Sequence, residues 1–520
     1  MEQKKTRMKR RNPLRSMLWR RTVVILLIFI QLTAMIYYLY SQSKTSQILN
    51  NSLTVVSVLV AFYIVSRTEK TAYKVLWIML IFISPIFGGV FYLLCNYQLI
   101  SRRFRRIISG VDKNLAPLYE MERRTVEEAV REHPEFLSHM RYLADYMKFP
   151  VSGHTRTTYL ESGEVFFERV LEEIDKAERY VFLEFFIMAE GRMLNTILDK
   201  LAEKLAQGVE VRIMYDDIGC FLTLPVNYPK MLRERGFQCT VFNPFNPIVS
   251  TLQNNRDHRK IIVVDGKVAF TGGVNLADEY INEYRKYGHW RDCAIMLEGE
   301  AAWSMTLIFL QLWNVNNPST TERDRRLYPW AEKPCDIETN GYVQPYADSP
   351  VDDENVGEHV YIQILNNARR YIYINTPYLI IDDNLLSAMK LAAKSGVDVR
   401  VVTPHIYDKR LVHFTTRSYY RELIAAGIKI YEYTDGFNHA KTFVCDDKIA
   451  TVGTTNLDYR SLYLHFECGV VVYDTDCVLQ SREDFLRTLP ICHEITPEDC
   501  KEPALMRMFQ EILRIFAPLM

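Results

Sequence analysis

Two kinds of apolar patterning divide this 520-residue chain. Near the start the apolar positions come in unbroken runs. Residues 22–40 and 75–95 contain no charged side chain, and 52–65 form a shorter apolar stretch. A helix needs about 20 apolar residues to cross a bilayer, so residues 1–100 read as a basic N-terminus with two or three transmembrane segments. Past residue 150 the apolar positions come instead in short β-branched bursts separated by amphipathic stretches. Gly208 and Gly396 each close a helical stretch and open a Val-x-Val-Arg strand (Val209–Arg212 and Val397–Arg400), as α-to-β turns do.

These bursts repeat. Arg179–Glu184 resembles Arg370–Asn375, Gly208–Arg212 resembles Gly396–Arg400, and Asp292–Ile295 resembles Glu467–Val470. Each half therefore predicts strand, helix, strand, helix, then a motif-bearing strand and further strands. Internal repetition sets the fold: two similar α/β domains in a pseudo-two-fold arrangement. The first spans 155–315 and the second 349–520. Residues 101–154 are charged and helix-prone and connect the N-terminal part to the first domain. Residues 316–348, rich in Pro, Asn, Thr and charge, read as a linker.

The motif strands carry the chemistry. His258-Arg-Lys260 and His439-Ala-Lys441 are each followed, at equal spacing, by Asp265 or Asp446, by Gly272 or Gly453 at 14 positions after the histidine, and by Asn275 or Asn456 at 17. The two copies lie 181 residues apart. On a strand, residues i and i+2 share a face, so each histidine points with its lysine. Two imidazoles and two ammoniums suit a phosphoryl oxyanion. The lysines stabilise the charge, one histidine attacks phosphorus, and the other carries the proton. Equal spacing leaves open which histidine does which. Asp265 and Asp446 fall on the opposite strand face, and Asp265 precedes Gly266, a turn signal. On the residues alone, these aspartates hold a loop.

A nucleophilic histidine needs its second nitrogen held by an acceptor. Asp292 and Glu467 occupy matching places in the two halves and are the candidates. Asn275, Asn456 and Thr454 stand in the glycine-rich turn, where amide and hydroxyl donors could meet phosphate oxygens. His405, His413 and His465 have no repeat partner, and no metal-ligand spacing emerges from them. The expectation is a site without metal or other cofactor.

This constellation resembles the phospholipase D superfamily and, within it, the bacterial cardiolipin synthases. The resembling segments are Asn255–Lys260, Gly272–Tyr280, Thr376–Tyr378, Gly436–Lys441 and Asn456–Ser461. The resemblance implies phosphatidyl transfer between two phosphatidylglycerol molecules, giving cardiolipin and glycerol through a phosphohistidine. It carries His258, Lys260, Asp265, His439, Lys441 and Asp446 as the catalytic residues, with His258 favoured as nucleophile. A membrane phospholipase D that hydrolyses the headgroup, or uses another acceptor, would present the same residues.

Charge sharpens the picture. Through Arg106 there are 17 Lys plus Arg against two acidic residues, a net +15. The whole chain balances at 63 against 63, so the remainder carries −15. Nine of the basic residues precede Thr22, which suits a cytoplasmic N-terminus and anionic lipid. An acidic catalytic region disfavours nucleic acid as partner; membrane lipids, with phosphatidylglycerol first, are the expected ones. The expected location is a multi-pass protein of the cell membrane. Four arginines between 102 and 106, and ten cysteines without a disulfide-like spacing, lean towards a cytoplasmic catalytic region.

Overall fold

A computed structural model describes residues 33, 44–68, 70–83, 88–89, 92–93, 99–119, 123–245, 251–330, 335, 337 and 339–520. The chain divides into two compact units, Met1–Tyr97 and Gln98–Met520.

In the first unit, helices Lys44–Ser66 and Thr71–Ile83 bury Val60, Ile64, Ile81 and Tyr92 against one another. Among the described residues, no helix is long and apolar enough to cross a membrane. The expected span 22–40 lies outside the described residues apart from Thr33. Within 75–95, the structure describes helix through Ile83 and residues 88–89 and 92–93.

The second unit holds the duplication. The first half supplies β1 (Thr155–Leu160), β2 (Tyr180–Phe185), β3 (Glu210–Asp216), β4 (Gln238–Phe242), β5 (Arg256–Asp257), β6 (Lys260–Val264), β7 (Val268–Gly272), β8 (His289–Arg291) and β9 (Ala294–Gly299). The second supplies β10 (Tyr342–Asp348), β11 (Tyr371–Asn375), β12 (Asp398–Pro404), β13 (Lys429–Tyr433), β14 (Gly436–Asn438), β15 (Thr442–Cys445), β16 (Ile449–Gly453), β17 (His465–Tyr473) and β18 (Cys492–Glu494). The sheets run β1-β9-β7-β6-β2-β3-β4 and β10-β17-β16-β15-β11-β12-β13-β18. Strand for strand the orders are the same, with β18 added at one edge. Both sheets are mixed: β2-β3-β4 and β11-β12-β13 are parallel and the remaining ladder pairs antiparallel.

The second sheet opens at Tyr342, inside the stretch expected to be linker. Pro345 lies within β10 and pairs opposite Val470. Proline is tolerated there because β10 is an edge strand, where a missing donor breaks no second ladder.

Alternate residues of the first sheet feed two cores. Phe182, Ile261, Val263, Ile295 and Leu297 face an inner core shared with Val444, Val452, Val470 and Val472 of the second sheet. Val181, Leu183, Ile262, Val264 and Met296 face outward, onto helices Gly163–Asp175 and Arg192–Ala206. Helix Glu300–Asn316 is apolar on nearly every side and buried along almost its whole length. It packs on β6, β7, β9 and also β10, while its counterpart Asp476–Thr488 packs on β11, β15, β16 and also β1. Each half thus lends a helix to the other's sheet, and the halves form one body.

The two motif aspartates are placed by this fold as turn residues. Asp265 and Asp446 have φ of 53° and 56°, the left-handed region that Asp tolerates because its short side chain bonds locally. Asp265 accepts the N–H groups of Glu178, Arg179 and Tyr180 at 2.7–2.8 Å. Asp446 accepts those of Arg369, Arg370 and Tyr371 at 2.6–2.9 Å. Each carboxylate ties the motif hairpin to the start of the neighbouring antiparallel strand, β2 or β11. These contacts engage both aspartates as turn residues, the place that their spacing along the strand suggests.

Candidate active site

Each histidine sits in a gap between two short strands. β5 ends at Asp257 and β6 begins at Lys260; β14 ends at Asn438 and β15 begins at Thr442. The lead-in strands do not pair within their own halves. β5 runs parallel to β17, with His465 opposite Arg256 and Phe466 opposite Asp257. β14 runs parallel to β8, with Trp290 opposite Phe437 and Arg291 opposite Asn438. The ladders end where the histidine backbone N–H groups donate across the halves, His258 to the carbonyl of Phe466 at 2.9 Å and His439 to that of Arg291 at 2.7 Å.

That exchange brings each histidine to the other half's carboxylate. His258 Nδ1 lies 2.9 and 3.0 Å from the two carboxylate oxygens of Glu467. His439 Nδ1 lies 2.6 Å from Asp292 Oδ2. A proton on Nδ1, donated to the carboxylate, leaves Nε2 of each ring as the basic nitrogen.

The two carboxylates are themselves held, by different means. Thr454 Oγ1 donates to Glu467 Oε2 and accepts the N–H of Cys468 at 3.0 Å. At the matching place in the first half stands Gly273, where a Cβ would come within 2.0 Å of Asp292 Oδ1. Glycine is required there for the shorter carboxylate to fit against the backbone. Asp292 also accepts the N–H of Cys293 at 2.9 Å.

Lys260 and Lys441 are buried, and each ammonium turns back onto the carbonyl oxygen of its own histidine, at 2.5 Å for Lys260. Lys260 Nζ also lies 5.6 Å from the centre of the Phe186 ring, against which His258 packs at 4.9 Å. Histidine and lysine thus share one side, as their spacing predicts. Burial lowers Lys260 to about 8 and Lys441 to about 7. Burial also lowers His439 to about 4 and takes His258 well below its ordinary value, the nearby lysine adding to the effect. The pairs feel each other: Lys441 and His439 repel a proton on His258, and Lys260 repels one on His439 and on Lys441. Burial also lifts Glu467 well above the ordinary carboxylate range, with Lys260 drawing it back down.

Of the three residues expected to meet phosphate, two are otherwise engaged. Asn275 accepts the N–H of Ile187 at 3.0 Å and donates to the Tyr280 hydroxyl at 2.7 Å, so it braces the turn. Thr454 orients Glu467, as described. Asn456 keeps a buried side-chain oxygen without a hydrogen bond.

Three further residues stand here, two that the sequence did not single out and one, His465, that it set aside. Glu184 and Asp257 are buried side by side behind His258. Burial, and then Asp257, raises Glu184 well above the carboxylate range, and burial raises Asp257 to about 6. At the matching places in the second half stand Asn375 and Asn438, which hydrogen-bond Arg291 instead. The third is His465, whose ring centre lies 5.3 Å from that of His258. Its repeat partner is Trp290, 5.2 Å from His439. Both stand two residues before an orienting carboxylate, the signal that comparing identical residue types overlooks.

Residues 170–306 and 361–489 match the family described as cardiolipin synthase, PLD-like domain. Residues 55–95 match the family described as phospholipase D-nuclease N-terminal. The cardiolipin synthase of Geobacillus sp. (strain WCH70) is 33% identical over 96% of this chain and 100% of its own length. Cardiolipin synthase 2 of Bacillus anthracis is 34% identical over 90% of each chain. Among solved structures, the phosphatidylserine synthase of Haemophilus influenzae Rd KW20 aligns with a TM-score of 0.55 at 15% identity, over 70% of this chain and 95% of that one, a likeness of fold.

Proposed function

This chain belongs to the cardiolipin synthase family of phospholipase D-like proteins, and from that membership we propose that it transfers a phosphatidyl group from one phosphatidylglycerol to another, releasing glycerol and forming cardiolipin. The observation that carries the reading is the crossed pair of His–carboxylate contacts, which makes one site of two half-motifs.

In this reading His258 Nε2 attacks the phosphorus of the first phosphatidylglycerol. Its Nδ1–H remains on Glu467, which stabilises the positive charge the ring acquires. The P–O bond to glycerol breaks, and His439, which takes a proton on Nε2 when the phosphodiester anion binds beside it, gives that proton to the leaving oxygen. The product is a phosphatidyl-histidine and free glycerol. A glycerol hydroxyl of the second phosphatidylglycerol then returns its proton to His439 and attacks the same phosphorus, displacing His258. His439 begins and ends the cycle in the same protonation state. Lys260 and Lys441 stay with the phosphoryl oxygens through both displacements, where negative charge accumulates. Asn456 keeps an unspent side-chain oxygen, an acceptor suited to a glycerol hydroxyl of the substrate rather than to its phosphate.

Membrane association belongs to the same reading. Helix Lys44–Ser66 exposes Val55, Leu59, Phe62 and Val65, and helix Thr71–Ile83 exposes Phe82 and Ile83. Apolar surface of this kind, in a segment as basic as residues 1–106, supports contact with an anionic bilayer. The spans proposed for 22–40 and 75–95 would complete it.

Purified protein given phosphatidylglycerol as sole lipid tests the reaction. Cardiolipin and glycerol are the expected products. Phosphatidic acid and glycerol would make the chain a hydrolase, and no turnover of phosphatidylglycerol would overturn the reading.

A further inference from the structure

We propose that His258, His465 and Glu467 form a binding site for a zinc-class divalent cation, and that its occupation switches the transfer reaction off. One nitrogen or oxygen of each residue lies within 4.8 Å of the others, and all three side chains are buried.

The first observation is His465. It is 8% exposed, and neither ring nitrogen has a hydrogen-bond partner. Two unpartnered polar atoms in a buried ring are costly, whereas the indole of Trp290, at the same place in the first half, leaves one such atom, its Nε1. The ring is directed at the centre: its Nδ1 lies 3.7 Å from Glu467 Oε1. The second observation is the neighbour set. Glu467 Oε1 is also 2.9 Å from His258 Nδ1. Ligand atoms roughly 2.1 Å from a tetrahedral zinc lie about 3.4 Å apart. The two Glu467 separations bracket that value, and the third, between the imidazoles, is no more than 4.8 Å.

Two imidazoles and one carboxylate, with a fourth position open, suit zinc, cobalt or nickel and do not suit magnesium or calcium. Burial holds both imidazoles neutral, the form that ligates. On binding, His258 Nδ1 gives up its proton to solvent and takes the metal in its place. Glu467 then no longer accepts from His258, and the cation draws electron density from the ring. His258 loses both its orientation and its nucleophilicity. His439, whose partner is Asp292, is untouched. The metal is thus an inhibitor, and the site's asymmetry confines it to the His258 side.

Binding stands on geometry alone, whereas its effect on turnover rests on the transfer reading, so the two are measured separately. Full-length protein in detergent, stripped with a chelator, is titrated with Co²⁺ and its visible absorption followed, with Zn²⁺ as competitor. One equivalent should bind with a nitrogen–oxygen spectrum. His465→Asn and His258→Asn should each weaken binding by about tenfold or more, while His439→Asn binds as the wild type does. In the transfer assay, Zn²⁺ should inhibit the wild type and a chelator restore it. The turnover that His465→Asn retains should be insensitive to Zn²⁺. If His465→Asn is misfolded by circular dichroism, His465→Gln replaces it. A thiolate charge-transfer band, equal Co²⁺ affinity in wild type and folded His465 variants, or no binding at all would each overturn the site. Cobalt binding as described in protein that forms no cardiolipin would keep the site and reject the transfer reading.

Discussion

His258 Nδ1 lies 2.9 Å from a carboxylate oxygen of Glu467, 209 positions away and in the other half of the duplication. Asp292 does the same for His439 at 2.6 Å. Neither half contains a complete catalytic group, since each supplies a histidine to itself and a carboxylate to its twin. Glu467→Gln and Asp292→Asn keep the shape and remove the charge that fixes the tautomer. Each should lower kcat by on the order of a thousandfold with little change in KM. A loss below about tenfold in either variant would show that the carboxylates only pack.

The histidines should behave as one unit. His258→Ala and His439→Ala should each abolish nearly all transfer, and the double variant should be little worse than either, the pattern of residues that act together. Transfer rates of the three purified variants decide it. A single variant retaining a tenth of the wild-type rate would mean that the halves work independently.

Lys260→Met and Lys441→Met should lower kcat by on the order of a hundredfold or more while KM moves little, because the ammoniums meet charge that grows in the transition state. Steady-state kinetics on mixed micelles separate the two constants. An increase in KM alone would make the lysines lipid anchors.

The pH profile should be shifted from that of ordinary lysines. Burial lowers Lys260 to about 8 and Lys441 to about 7, from the usual 10.5. The cationic form is the useful one and is lost as pH rises through the lowered value. The logarithm of kcat/KM, which reports the free enzyme, should therefore fall above about pH 7–8. Bound phosphate favours the charged lysines, so the corresponding fall in kcat should come at higher pH. The acid limb belongs to His258, which must be neutral to attack; burial pushes it down, so the limb should lie below 6.5. An alkaline limb near 10 in kcat/KM would contradict the burial of the lysines.

Asp265→Ala and Asp446→Ala should damage the fold and spare the chemistry. Each removes a carboxylate that accepts three backbone N–H groups, at a cost of about 3 kcal/mol of stability. Thermal unfolding should shift down while kcat per folded molecule stays near wild type. A large fall in kcat at unchanged melting temperature would return these aspartates to the active site.

What the sequence determined by itself was whatever is written in local spacing and repeated. The period of the strands, the α-to-β turns at Gly208 and Gly396, the two His-x-Lys motifs and the turn role of Asp265 depend on neighbours along the chain. The matching of Asp292 with Glu467 also needed only the repeat. Tertiary structure decided which carboxylate meets which histidine, because β5 and β14 leave their own sheets to pair with β17 and β8, a choice no local pattern encodes. It also decided the fate of Asn275 and Thr454, whose polar atoms go to whichever partner folding brings first within reach. His465 was set aside for a related reason. Its repeat partner is a tryptophan, so identity of residue type hid identity of place, and only packing against His258 gave that place a meaning.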